Sequence, residues 1–270
     1  MDVRPFLKVM VERKASDLFI TAGFPPSAKI DGELRPLAES AFTPAQSLDF
    51  VESVMTEAQK KEFHTTRECN FAFAVKELGR FRVSAFWQRE SPGCVMRRIE
   101  TKIPEVDDLK LPPILKDLVM SKRGLIIMVG GTGTGKSTSL AALVGYRNAH
   151  ARGHILTIED PVEFVHDHRK SIITQREVGI DTESFDAALK SSLRQAPDVI
   201  LIGEIRTQET MEFALSFAET GHLCMATLHA NNANQALDRI MHLVPENKHQ
   251  QLLFMPIALP MPSTKDGSMQ

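Results

Sequence analysis

No run of apolar residues in this chain approaches the ~20 that a membrane-spanning helix needs. The opening Met1-Asp-Val-Arg-Pro5 also lacks the apolar stretch of a secretory signal. Both absences predict a cytosolic protein, able to dock on a membrane complex but not to cross the bilayer. Cysteine is scarce. The three present, Cys69, Cys94 and Cys224, have no short paired spacing, which argues against a disulfide framework or a thiolate zinc site and suits packing in a reduced compartment. Charge of one sign is lacking too: the net charge of −2 gives no basic bias toward nucleic acid. There is no internal repeat and no low-complexity tract. His166 and His168 stand without further ligands nearby and read as a solvated loop, not a metal site.

What remains is an ordinary globular composition, 43% hydrophobic and 24% charged over 270 residues, enough for one large domain or two smaller ones. The pattern divides it. Over residues 1–100 we expect an α+β domain. Helical spacing covers 3–13, a strand covers 17–21, and Asp31-Gly32 joins a hairpin of 27–30 and 33–37. One helix is expected over 44–62, opened by Pro44. Alternating strands follow at 70–75 and 80–89, and a third begins near Cys94 after a turn at Ser91-Pro92-Gly93. In the second of these, Phe81, Val83, Ala85 and Trp87 share one face, so Arg80 and Arg82 share the other. That pattern fits a solvated strand face as well as a functional one.

Residues 101–113, with Pro104, Pro112, Pro113 and the acids between Glu105 and Asp108, read as a linker. From 114 to 270 short apolar strands alternate with helices, which predicts a parallel sheet. Strands are expected at 125–129, 154–158, 199–202 and 222–228, and helices at 136–149, 184–193, 207–219 and 232–243.

Between the first strand and helix of this half lies Gly130-Gly131-Thr132-Gly133-Thr134-Gly135-Lys136-Ser137-Thr138. It fits the phosphate-binding loop G-x-x-x-x-G-K-[ST] in the strand-to-helix context that the motif requires. The glycines let backbone N–H groups turn inward on phosphate oxygens, and the following helix adds its N-terminal dipole. Lys136 is placed to reach the β and γ phosphates of ATP, and Ser137 to offer its hydroxyl to Mg²⁺. Phosphoryl transfer also needs an oriented water. Two acidic clusters end strands: Glu159-Asp160-Pro161-Val162-Glu163 and Gly203-Glu204. In an open α/β sheet those ends gather at the ligand crevice. Glu204 is the better candidate for polarising water and Glu163 the second. His229 closes the strand 223–228 and is expected at the same sheet edge as Glu204, where it could sense the γ-phosphate. His222, at the other end of that strand, reads as structural.

These blocks, in this order, resemble the secretion ATPases, and within them the type IV pilus retraction ATPases of the PilT/PilU family. Residues 130–138 look like the Walker A segment, 157–163 like the Asp box that ends in a catalytic glutamate, 198–206 like an atypical Walker B, and 220–231 like the His box. Gln175-Arg-Glu-Val-Gly179 and Leu193-Arg-Gln195 are also similar to family segments. Residues 16–23, 79–86 and 231–235 look more like the PilU branch. The resemblance implies a RecA-like P-loop domain preceded by a smaller PAS-like domain. It also implies a homo-hexameric ring at the cytoplasmic face of the inner membrane, in contact with the pilus platform protein and a PilT-like ATPase. Arginines at positions 80, 82 and 97 would then assist ATP held by a neighbouring subunit. The implied activity is ATP hydrolysis coupled to pilus retraction and twitching motility. An assembly or secretion ATPase of the same superfamily and a non-hydrolysing nucleotide-binding regulatory subunit are the alternatives. A nucleic-acid translocase is disfavoured by the charge. The family continues in helix beyond the position of Val244. Here a proline-broken apolar stretch, 252–262, follows instead, so the C-terminal part of the ATPase domain is expected to be shortened, to assemble poorly and to move pili weakly.

Overall fold

The computed structural model describes residues 1–99, 102–131, 133–230, 232–244 and 257–258. The chain separates into two compact units, Met1–Thr101 and Lys102–Gln270.

The first unit holds a six-stranded sheet ordered β3-β2-β1-β6-β5-β4. Its strands are β1 Asp17–Thr21, β2 Ser27–Ile30, β3 Glu33–Pro36, β4 Glu68–Val75, β5 Gly79–Gln88 and β6 Ser91–Ile99; its helices are α1 Arg4–Glu12, α2 Pro44–Glu52 and α3 Glu57–Thr66. Every pairing in this sheet is antiparallel. Leu7 and Met10 of α1, Phe50 of α2 and Phe63 of α3 are buried with Leu18, Ile20, Phe81, Val83 and Met96 of the sheet. Fully burying a side chain of this size contributes about 1.5–3 kcal/mol. Asp31 and Gly32 both take positive φ, the geometry a two-residue hairpin needs.

Two expectations are corrected here. The single helix over 44–62 is two helices. Thr43 and Gln46 form a capping box at the start of α2, and Thr56 and Gln59 form a second one at the start of α3. Each box satisfies backbone N–H groups that a new helix start leaves without partners, so Thr56-Glu-Ala-Gln59 restarts the chain in a new direction. The turn near 91–93 lies instead at Arg89-Glu90, both at positive φ, and Ser91-Pro92-Gly93 belong to β6. Pro92 is tolerated there because the partner on its other side, β1, reaches only to Gly93.

The second unit is a six-stranded sheet, order β12-β7-β11-β10-β8-β9, parallel throughout. Its strands are β7 Gly124–Gly130, β8 Gly153–Glu159, β9 Ser171–Glu177, β10 Val199–Ile202, β11 Leu223–His229 and β12 Ile257–Ala258. The helices are α4 Ile114–Val119, α5 Lys136–His150, α6 Phe185–Ser192, α7 Gln208–Glu219 and α8 Ala233–Leu243. Strand alternation builds two cores. Leu125, Ile127, Ile200, Ile202, Cys224 and Ala226 pack with α6, α7 and α8; Ile126, Met128, Val199, Leu201, Leu223 and Met225 pack with α4 and α5. This is a mixed α/β fold with a parallel sheet covered on both faces. The expected helix starts at 184, 207 and 232 are the capping residues Ser184, Thr207 and Asn232, each accepting a backbone N–H from the first turn. Helix α4 and strand β9 were not anticipated. The apolar stretch 252–262 lies outside the described residues except for Ile257–Ala258, which add to the edge of β7. Among the described residues no helix is long and apolar enough to cross a membrane.

The second capping box gives the first test. Thr56→Ala should lower stability by about 1 kcal/mol, read from the midpoint of urea denaturation. An unchanged midpoint would mean that α3 starts for another reason.

Candidate active site

Strand β7 delivers its last residue, Gly130, to the C-terminal edge of the sheet, and α5 begins at Lys136. Between them the backbone reverses tightly. Gly133 and Gly135 take φ of +75° and +89°, which L side chains rarely adopt. Thr134 donates its hydroxyl to the Gly131 carbonyl at 2.9 Å. The Lys136 ammonium donates to the carbonyls of Gly130 at 3.0 Å and Gly131 at 2.7 Å. Ser137 faces the cleft, and Thr138 follows in the first turn of α5. Thr132 lies outside the described residues.

Parallel pairing sets the rest of the cleft. His229 on β11 lies in register with Gly130 on β7. Next to β11, β10 ends at Ile202 and releases Gly203-Glu204. Beyond it β8 ends at Glu159. Gly203 eases the approach here: a Cβ would come within 3.1 Å of the Glu159 Cα, so a side chain would press the two acidic strand ends apart by a few tenths of an ångström. Glu204 is mostly shielded. It accepts from Arg206 Nε at 2.7 Å, and His229 Nε2 lies 3.5 Å from its other oxygen. Thr227 donates its hydroxyl to the Gly203 carbonyl and ties β11 to this turn. Lys136, Ser137, Glu159, Glu163, Gly203, Glu204, Arg206 and His229 line one cleft of about 230 Å³.

Charge in the cleft is unevenly compensated. Burial pushes the Lys136 ammonium down, while the nearby carboxylates of Glu204 and then Glu163 pull it back up, so both glutamates act on this lysine. Glu159 stands apart. Desolvation pushes its carboxyl up to about 7, against hydrogen bonds from Thr157, Gln175 and the Glu163 backbone that favour the charged form. The Thr157 hydroxyl donates to Glu159 Oε1 at 2.6 Å. His166, in the same cleft, is pushed down to about 4, first by burial and then by Arg169, and is neutral at pH 7.

The fold therefore brings Lys136, Ser137, Glu163, Glu204 and His229 together. Their chemistry suits an anionic, phosphorylated ligand: a lysine, a hydroxyl for a metal, and carboxylates that can orient water. Arg206, Thr227 and Gln175 join the site without having been singled out for it. Arg206 closes the segment Gly203-Glu204-Ile-Arg206, and a cation two residues from an acidic strand end was the available signal. His222 sits at the opposite end of β11, with Nδ1 3.1 Å from the Thr220 hydroxyl. His168 accepts from the Ile173 amide at 3.1 Å. Among the described residues no group of three or more His, Cys, Asp or Glu is arranged to hold a metal ion. All three thiols are free and buried.

Arg80, Arg82 and Arg97 belong to the first unit. Arg82 and Arg97 are direct partners across β5 and β6, so they share a sheet face, and Arg80 lies on that face two residues before Arg82. Arg97 donates from Nε to the buried Asp17 carboxylate at 2.8 Å, which fixes its stem while most of its side chain stays exposed.

A model of the family described as type II/IV secretion system protein matches residues 2–258. The "Type IV pilus ATPase PilU" of Pseudomonas aeruginosa is 58% identical over 252 residues, which cover 93% of this chain and 66% of that protein. The "Type IV pilus retractation ATPase PilT" of the same organism is 41% identical over 255 residues, 94% of this chain and 74% of that one. The chain thus spans about two thirds to three quarters of the length of these relatives. A crystal structure of the pilus retraction motor PilT with bound ADP superposes with a TM-score of 0.90 at 41% identity, covering 96% of this chain and 78% of the other.

The elevated Glu159 generates a pH test. Folded, its carboxyl titrates near 7, above the ordinary value of 4.5. Between those values the folded state holds a proton that the unfolded chain has released, so this group's contribution to stability declines as pH rises through that window. Above it the half-buried carboxylate carries its desolvation cost in the charged form. Glu159→Gln keeps the acceptor and removes the titration. The melting temperature of the wild type should therefore fall relative to the variant between about pH 5 and about pH 8. Parallel curves would show that Glu159 ionises in its ordinary range.

Proposed function

The chain belongs to the type II/IV secretion system protein family, and on that premise we propose that it is an ATP-hydrolysing motor subunit that drives type IV pilus retraction. The observation that carries this reading is the convergence of Lys136, Glu163 and Glu204 on one cleft at the C-terminal edge of a parallel sheet. The names of the two Pseudomonas relatives, both pilus ATPases, support the substrate and the process. The bound ADP of the PilT structure supports a nucleotide at the phosphate loop. A P-loop strand separated from the Glu204 strand by the strand that carries His229 supports a RecA-like second unit, and the antiparallel sheet flanked by short helices supports a PAS-like first unit.

On this reading the N–H groups of Gly131 and of residues 133–136 cradle the α and β phosphates, and Lys136 exchanges its carbonyl partners for β and γ oxygens. Glu204, with Glu163 beside it, orients the attacking water in line with the γ-phosphorus. His229, against Glu204, reports the presence of the terminal phosphate. The Ser137 hydroxyl and the facing carboxylates are the donor set that suits Mg²⁺. Bound there, the ion would neutralise charge on the β and γ oxygens. Arg80, Arg82 and Arg97 act on the ATP of a neighbouring subunit in a homo-hexamer, where a guanidinium offsets charge developing on the transferred group. The ring works at the cytoplasmic face of the inner membrane, on the pilus platform and with a PilT-like partner.

Lys136→Ala should abolish tight ATP binding, whereas Glu204→Gln should bind ATP normally and lose turnover by about 100-fold or more. Equal ATP affinity in wild type and Lys136→Ala would remove the phosphate-loop assignment. Near-normal turnover in Glu204→Gln beside an inactive Glu163→Gln would reverse the two glutamates.

Action in trans has its own test. Arg82→Ala subunits mixed with Lys136→Ala subunits should recover part of the ATPase activity that each lacks alone, because some interfaces pair two intact halves. Verified mixed rings without recovery would remove the arginine from the neighbour's site.

A further inference from the structure

Glu163 has an exposed side chain on a loop that is neither helix nor strand, which is a poor support for a group that must orient water to within a few tenths of an ångström. The residues on either side of it are nevertheless tied down. The Val162 amide donates to the Glu177 carboxylate at 3.2 Å. The Phe164 carbonyl accepts from the Gln175 side-chain amide at 2.8 Å. Two residues further on, the His166 amide donates to the Gln175 side-chain oxygen at 2.8 Å. Gln175 Nε2 also lies 3.3 Å from Glu159 Oε1 at the end of β8. Both clamping residues stand on β9, two positions apart, in register with Thr157 and Glu159. They belong to Gln175-Arg-Glu-Val-Gly179, a segment the proposed mechanism leaves without a task.

We propose that Gln175 and Glu177 are positioning residues that hold the backbone of residues 162–166 and thereby aim Glu163 at the terminal phosphate. This assignment rests on the reading of Glu163 given above. The alternative, that the two side chains merely knit an edge strand to its neighbour, is a poor fit to their bonds. The ladder between β8 and β9 is made by backbone groups. The side chains reach past it to three backbone groups of the loop. Gln175 engages its amide and its carbonyl at once, so the loop is held from both a donor and an acceptor. Glu177 is itself anchored: its own amide donates to Asp181 at 2.9 Å, its carbonyl accepts from the turn that follows, and its side chain is almost fully buried. A buried carboxylate bonded to a loop amide is a costly arrangement to disrupt, which makes it a firm stop for the loop.

The test compares steady-state ATPase kinetics, affinity for a fluorescent ADP analogue, and hydrogen exchange of the 162–166 amides in the full chain. Gln175→Ala and Glu177→Ala should each lower kcat by about tenfold or more while nucleotide affinity stays within about twofold, since a misaimed base costs turnover and not binding. Exchange at 162–166 should accelerate while the P-loop amides keep their rates. Glu177→Gln, which retains an acceptor for Val162, should restore most of kcat. Adding Gln175→Ala to Glu163→Gln should cost nothing further, as expected of a residue that acts through Glu163. Unchanged exchange at 162–166 in Gln175→Ala, or unchanged kcat beside an inactive Glu163→Gln, would overturn the bracing role. Wild-type turnover in Glu163→Gln would overturn the reading of the loop itself, and this assignment with it.

Discussion

A parallel sheet sends every strand out at the same edge, and in this chain that constraint does the work of assembling a site from distant segments. Strands β7, β11, β10 and β8 lie side by side, and at the end of each, or within six residues of it, stands a polar residue that lines the cleft. The ladder places Gly130 opposite His229, Ile202 opposite Ala226, and Ile202 opposite Ile158. Lys136, His229, Glu204 and Glu159 then meet without any long connecting loop. The apolar interior of the strands is what pays for this. Cores on both faces of the sheet fix its register, because a slip of one residue would exchange the side chains that each strand sends to the two cores.

Once the strand ends converge, electrostatics becomes the organising problem. Three glutamates and one lysine line the cleft, and the fold handles each glutamate differently. Glu204 is held by Arg206 and faces His229. Glu163 extends into the cleft from a braced loop. Glu159 is half-buried, bonded by Thr157 and Gln175, and raised. Gly203 eases this crowding, and Thr227 locks the turn that carries it.

The parts of the fold that were legible in the sequence were those written in a single local pattern. The apolar runs of β7 and β10 and the Gly-rich loop declare themselves, and Ser184, Thr207 and Asn232 mark helix starts within a residue of the observed ones. Strand β9 escaped notice because Ser-Ile-Ile-Thr-Gln-Arg-Glu mixes polar residues with an Ile172 that is 63% exposed; an edge strand need not alternate cleanly. The split between α2 and α3 was hidden because neither Gly nor Pro separates the two helices, and the recurrence of Thr-x-x-Gln marks the restart. Of the site, Lys136, Ser137, Glu163, Glu204 and His229 could be nominated from motifs and strand ends. Gln175 and Thr227 could not, because their positions matter only through contacts across strands far apart in sequence, whereas Arg206 had a local signal in its spacing from Glu204.

The raised carboxyl of Glu159 has a further consequence for how the cleft meets a polyanion. A ligand of net negative charge arriving beside it would push its titration higher still, because like charge disfavours ionisation. Near neutral pH the pocket would then draw a proton from the buffer as the ligand enters, and so cancel one repulsion at the moment it appears. Binding measured calorimetrically would carry the ionisation heat of whichever buffer supplied that proton, and the contribution of this group to affinity would fall toward alkaline pH. The cleft is in this sense self-adjusting: its net charge follows that of its occupant, with the solvent acting as the reservoir.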